Sequence, residues 1–296
     1  MNAIRFRSAA SCWLLTVAAV NVEAADRVWL EPPRPTSSQS DWYPRAIEIL
    51  SGKVVDFDAK QLRCVVAGDE EVTVIAASRV LWIEPDEVSE LEAEAIQLFA
   101  DGSFAQSLSK LPGVLQQRPP VWRQQWITML SANAAWKGGR SKIALELVSQ
   151  LDRRPLPPMA LAWLPLAWRG GVQSAEAVSA AKNRLSDPSV AVQLVAASWL
   201  LSSPDRNQAT AVLKQLEVQQ PAEIAALAEI LLWRTATPPQ VIQSASDWQS
   251  QLDRLPMVLQ TGPTMTLIDK LQSAGQTDAA DHLQWSLDLT PIQPYR

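Results

Sequence analysis

A single histidine, His282, serves the whole chain. A general base needs a positioned partner and a nucleophile, and a metal site needs three or four ligands. His282, set between Asp278, Asp281 and the chain end, supplies neither and reads as a solvated residue of a helix. Cysteine is almost as scarce. Cys12 lies inside the apolar N-terminal run, so Cys64 is left alone, which excludes an intrachain disulfide and leaves stability to packing. Its neighbours Leu62, Val65 and Val66 mark Cys64 as a buried apolar thiol. The ten glycines fall at turns, and no G-x-S-x-G, phosphate-binding glycine loop or CxxC pair appears. With 26 basic against 31 acidic residues and no long basic run, the net charge of −5 argues against nucleic acid or an anionic membrane surface as partner. Beyond the N-terminus no stretch reaches the ~18 uncharged apolar residues of a membrane span, so no integral membrane association is expected once that segment is removed. No cofactor or metal is expected.

What is present begins with a leader. Arg5 and Arg7 precede an apolar run from Ala9 to Val20, and Val22 and Ala24 suit cleavage after Ala24. Residues 1–24 therefore read as a secretory signal, and the protein as exported to a periplasm or cell envelope. Residues 25–45, with Pro32, Pro33, Pro35 and Pro44 among several serines, read as an extended linker. From 46 to 85 the pattern is strand-like, with runs at 46–50, 54–57, 62–66, 72–75 and 80–83 and turns at Ser51-Gly52 and Ala67-Gly68. Five short strands predict a small antiparallel β-barrel-like module. The rhythm of GKVVDFDAKQLRCVVAGDEEVTVIAASRVLWIEP resembles an SH3-like or Sm-like barrel, a resemblance that implies a fold and no activity.

Residues 86–290 read as helical throughout, followed by a tail at 291–296. Proline opens a new apolar-periodic stretch at Pro119-Pro120, Pro157-Pro158, Pro188, Pro221 and Pro256, with gaps of 38, 30, 33 and 35 residues counted from Pro120. That period is the length of a helix–turn–helix unit, and about six such hairpins are expected to stack as an α-solenoid. Ser89 with Glu92 reads as a capping box, and Pro165 predicts a kink or early stop. The segment SELEAEAIQLFADGSFAQSLSKLP resembles a tetratricopeptide hairpin, with Gly139 and Ala144 at small positions of the next unit and Trp126 and Ala135 near its large and small ones. DPSVAVQLVAASWLL resembles the first helix of a HEAT repeat, capped by Asp187, although Gln193 stands where that family carries a basic residue. The fold class is thus a small antiparallel β module followed by an all-α helical-hairpin solenoid, α+β overall and mostly α.

Thirteen tryptophans against two tyrosines and four phenylalanines set the candidate contacts. Trp122, Trp126, Met129, Asn133 and Trp136 share one helical stripe, which repeats ordinarily bury. Trp163 and Trp168 flank Pro165, where a broken helix exposes irregular backbone. The acidic run Glu84, Asp86, Glu87, Glu90, Glu92 and Glu94 reads as a solvated helix start. The expected function is a non-catalytic scaffold or adaptor that holds a protein or peptide through the helical-repeat surface, with Trp122, Arg123, Trp126, Trp163 and Trp168 as contacts. Two alternatives stand beside it. One is a carbohydrate-binding envelope protein with exposed tryptophans, the other a hydrolase with paired carboxylates.

Overall fold

Alternating burial builds a five-stranded antiparallel sheet at the start of the described chain. The computed structural model describes residues 25–32, 46–219 and 221–290. The strands are β1 (Asp26–Leu30), β2 (Glu48–Phe57), β3 (Gln61–Val66), β4 (Val72–Ala76) and β5 (Val80–Glu84), in the order β4-β3-β2-β1-β5. Val28, Leu30, Val54, Phe57, Leu62, Cys64, Ile75 and Ile83 are buried. The sheet is open, with β4 and β5 as its edges, and does not close as a barrel.

Two expectations are corrected here. Residues 26–30, expected within the linker, form β1, which lies between β2 and β5. The Asp26 carboxylate fixes its entry by accepting from the backbone N–H of Val54 (3.0 Å) and of Asp86 (3.1 Å). Ser51-Gly52 is not a turn, because β2 runs straight through it. Gly52 sits so close to β3 that a Cβ there would overlap the carbonyl of Val65. The leader, residues 33–45 of the linker and the tail at 291–296 lie outside the described residues.

Twelve α-helices follow among the described residues. They are α1 (Glu90–Ala100), α2 (Phe104–Gln116), α3 (Val121–Lys137), α4 (Ser141–Leu151), α5 (Pro158–Leu161) and α6 (Ala175–Lys182). After them come α7 (Val190–Leu200), α8 (Arg206–Leu216), α9 (Ala222–Leu232), α10 (Pro238–Arg254), α11 (Thr261–Ser273) and α12 (Thr277–Asp288). Helices mostly pack against their neighbours in the chain, α1 on α2, α2 on α3, α3 on α4, α6 on α7, α7 on α8, α8 on α9, α10 on α11 and α11 on α12, while α4 reaches past the short α5 to α6 and α7. Proline precedes or opens α3, α5 and α9 as the pattern predicts. The turns of α1/α2, α3/α4 and α11/α12 place Gly102, Gly139 and Gly275 at φ near +76°, the left-handed conformation that ends a helix at glycine.

Two caps differ from expectation. Ser89 does accept from the Glu92 N–H (3.3 Å), but the Glu92 carboxylate turns inward to Arg123 instead of completing the box. The cap of α7 is Ser189, not Asp187. Asp187 bonds the Ser189 N–H (3.0 Å) and pairs with Arg184 (2.6 Å), which supplies the cation that Gln193 does not.

The third hairpin is irregular. Its helix α5 lasts four residues, and residues 162–168 continue as buried non-helical chain through Pro165. Buried backbone must find partners, and here side chains from four elements provide them. Asn133 of α3 donates to the carbonyl of Trp163, and Trp199 Nε1 of α7 donates to that of Pro165 (2.7 Å). Arg234, in the turn after α9, donates to Ala167 O (2.6 Å), and Thr266 Oγ1 of α11 to Trp168 O (2.8 Å). Ser198 Oγ accepts from the Ala167 N–H (3.1 Å). The sheet rests on the same place. α5 packs on β5, on the single turn Ala77–Arg79 and on the turn Met257–Leu259, where the buried Glu31 carboxylate accepts from the Met257 N–H (2.9 Å). One apolar core therefore runs from the sheet into the helices, with a smaller cluster beneath α1, α2 and α3.

Candidate functional site

The five residues singled out by sequence hold the fold together and do not share an open surface. Trp122, Arg123, Trp126 and Trp168 are each at most 9% exposed, and Trp163 is half-buried. Arg123 spans from α3 to α1, its Nε and Nη2 donating to the two carboxylate oxygens of Glu92 (3.0 and 2.7 Å) and its Nη1 to Glu87 O (2.6 Å). Such a forked pair fixes geometry in a site almost closed to water. Trp126 and Trp163 meet Trp82 of β5, with all three ring centroids 5.3 to 6.4 Å apart, and this triangle joins the two apolar clusters. Trp163 and Trp168 do flank a broken helix, but the break turns inward because side chains satisfy its carbonyls.

The remaining aromatic and acidic candidates resolve similarly. Of the tryptophans among the described residues only Trp285 is largely exposed. The two parallel pairs, Trp136 with Trp199 (5.5 Å) and Trp233 with Trp248 (4.8 Å), present their faces to each other. No coplanar pair of open indoles, the platform that a sugar needs, is found among the described residues. Within the acidic run, Glu84 pairs with Arg27, Glu92 with Arg123 and Glu94 with Lys110. His282 is exposed on α12, and burial pushes the Cys64 thiol above its ordinary range. Burial and the nearby Glu229 push the Glu217 carboxyl up, but Glu229 is exposed and bonded to Gln251 Nε2 (2.8 Å). No group of three His, Cys, Asp or Glu suited to a metal occurs among the described residues.

The recurring prolines do build a surface feature. A cleft of about 690 Å³ runs along the start of successive hairpins, past Pro155 and Leu156, Pro188 and Val190, then Pro221 and Ile224. Proline has no N–H to offer, so this wall is apolar and poor in donors. Its polar rim is Ser149, Asp152, Arg153 and Ser189. Asp152 is already committed, accepting from Ser189 Oγ (2.6 Å) and the Ala191 N–H (3.3 Å), so that one hairpin caps the next. The following residues of α9, Ala222, Glu223 and Ala226, wall a second cleft of about 420 Å³ that ends at the next opening proline, Pro256. The sequence marks Pro188 and Pro221 as helix starts but not as a lining, and does not mark Pro155, because neighbours across the cleft come from units about 33 residues away. Comparison of the chain with protein-family models, curated proteins and solved structures finds no match.

Proposed function

We propose that this protein is an exported, non-catalytic scaffold of the cell envelope whose helices form a solenoid of tetratricopeptide or HEAT type. It holds an extended peptide segment of a partner protein in the cleft along the helix starts. The observation that carries this reading is the apolar, proline-lined cleft of about 690 Å³, open at the surface and shared by three successive hairpins. A cleft of that size and lining suits apolar side chains of a bound strand, with the exposed Arg153 at the rim to fix its register. Stacking of repeat type is supported by chain-order packing of the helices, by the left-handed glycines in three turns and by the cap that Asp152 provides to the next unit.

A photocrosslinking residue placed at Arg153 tests the proposal, with the same residue at Val218, which is 87% exposed and lines neither cleft, as control. The reading requires discrete adducts from position 153 in envelope extract, competed away when Val190→Arg narrows the cleft. Identical adducts from both positions, or none from 153 in the folded protein, defeat it.

A further inference from the structure

On the side of the third hairpin where the broken segment ends, a third cavity has the opposite character. About 390 Å³ in volume, it is walled by Arg206 at the start of α8, Arg234 after α9, and Asp269 and Lys270 of α11, with Trp168 and Leu201 as its apolar part. The chain carries a net charge of −5, yet three cations converge here. Each is oriented by neutral acceptors. Arg234 Nη1 donates to Ala167 O and Ser198 O (2.6 and 2.8 Å) and Nη2 to Ser202 Oγ (2.7 Å). Arg206 Nη2 reaches Thr235 O (3.2 Å), and Lys270 Nζ reaches Ala236 O (2.9 Å). Asp269, the carboxylate of the cavity, is paired with Arg169 (3.6 Å). Among the described residues none of the three cations has a carboxylate within ion-pair distance.

Cations beside a helix end need little explanation when they are few. The carbonyls closing α9 carry roughly half a negative charge, which one cation offsets. Arg234 is further accounted for by the carbonyls of the broken segment. That leaves Arg206 and Lys270 as surplus charge, held close enough that burial and then the neighbouring arginines push the Lys270 amine down. Burial and Arg206 likewise bring Arg234 to about 10. Three converged, partly desolvated cations that share one carboxylate, Asp269, with Arg169 are costly, and a bound anion offsets the cost.

We infer that this cavity binds a tetrahedral phosphate dianion, with Arg206, Arg234 and Lys270 as its charged ligands and the Ser202 hydroxyl as a further donor. A monocarboxylate leaves at least one surplus cation unbalanced, whereas a dianion meets both. Guanidinium and ammonium groups together are the usual donors for phosphate oxygens. The volume exceeds what bare phosphate fills, and the Trp168–Leu201 side has room for the organic part of a phosphomonoester.

Titration calorimetry of the purified chain tests this in buffer free of phosphate, with sodium chloride holding ionic strength constant. Inorganic phosphate and glycerol 3-phosphate are the two probes. One saturable site per chain is expected, weakened about tenfold or more in Arg206→Gln/Lys270→Gln, as loss of charge-assisted bonds implies. Equal affinity for both probes assigns the site to free phosphate, and tighter binding of the ester assigns it to a phosphomonoester. Arg206→Gln alone, at an exposed position, is expected to weaken binding severalfold and serves where the double variant does not fold. No saturable binding of either probe, or unchanged affinity in a folded variant, overturns the inference.

Discussion

Helix α3 and the chain at 158–168 open consecutive hairpins, and both start at a proline, yet they solve the same physical problem in opposite ways. α3 runs for 17 residues and meets its own backbone demands. The later segment stops after four helical residues and borrows partners from α3, α7, α11 and the turn after α9. A regular helix can be stacked on any neighbour that covers its apolar face. A broken one becomes specific to its surroundings, because each carbonyl depends on a particular side chain. That dependence makes the irregular unit the hub on which the sheet, α5 and the turn at Met257–Leu259 converge.

The largest expected difference between the two follows from truncating a tryptophan of α3 and a tryptophan of α7 that supports the broken segment. Trp199 is fully buried, stacks on Trp136 and donates to Pro165 O. Trp199→Ala should cost about 5 kcal/mol, at the top of the range for buried aromatics, because it opens a cavity and orphans a carbonyl. Trp122→Ala on α3 should cost about 3 kcal/mol, since packing alone is lost. Urea unfolding of both variants measures the gap, and equal losses would remove the distinction drawn between the regular and the broken unit.

How far this was visible in the sequence depends on range. The order of a β module followed by helices was legible, because strand alternation and helical periodicity are local. So were the helix starts at Pro120, Pro158 and Pro221, and the early stop before Pro165. β1 was not, since five residues just ahead of Pro32-Pro33 look like linker until Glu48–Gly52 and Val80–Glu84 pair on either side of them. The direction in which the broken helix faces was likewise hidden. Asn133, Trp199, Arg234 and Thr266 carry no mark of a shared partner when read along the chain. The cationic cavity escaped for the same reason. Arg206, Arg234 and Lys270 stand 28 and 36 residues apart, close to the spacing of the opening prolines, so charge recurring at that spacing is the signal that a periodic scan of charges would find.

An intermediate effect is expected at the tie between α1 and α3. Removing one member of the buried Arg123–Glu92 pair strands the other charge, and Arg123→Met should destabilise by about 4 kcal/mol. In the double variant Arg123→Met/Glu92→Leu much of that loss should return, because apolar groups fill a site with no charge left to solvate. A double variant no better than Arg123→Met would mean that the carbonyl of Glu87 and the geometry of the fork dominate, and that α1 is specified by polar contacts much as the broken segment is.

The smallest effects separate the two kinds of unit at their glycines. Gly262 opens α11 directly against the Trp168 indole, and a Cβ there would overlap its Nε1. Trp168 is buried and its carbonyl is held by Thr266, so the ring has little freedom to withdraw. Gly262→Ala should therefore cost about 2 kcal/mol through overpacking. Gly139, in the turn of the regular α3/α4 hairpin, has open space around it and needs glycine only for its positive φ. Gly139→Ala should cost about 1 kcal/mol, a backbone penalty with no steric part. Asparagine, which tolerates the left-handed conformation, should recover part of the loss at 139 and none at 262. Thermal melting of the four variants reads this directly. Rescue by asparagine at both positions would mean that the indole yields, and that the hub packs no more tightly than an ordinary hairpin turn.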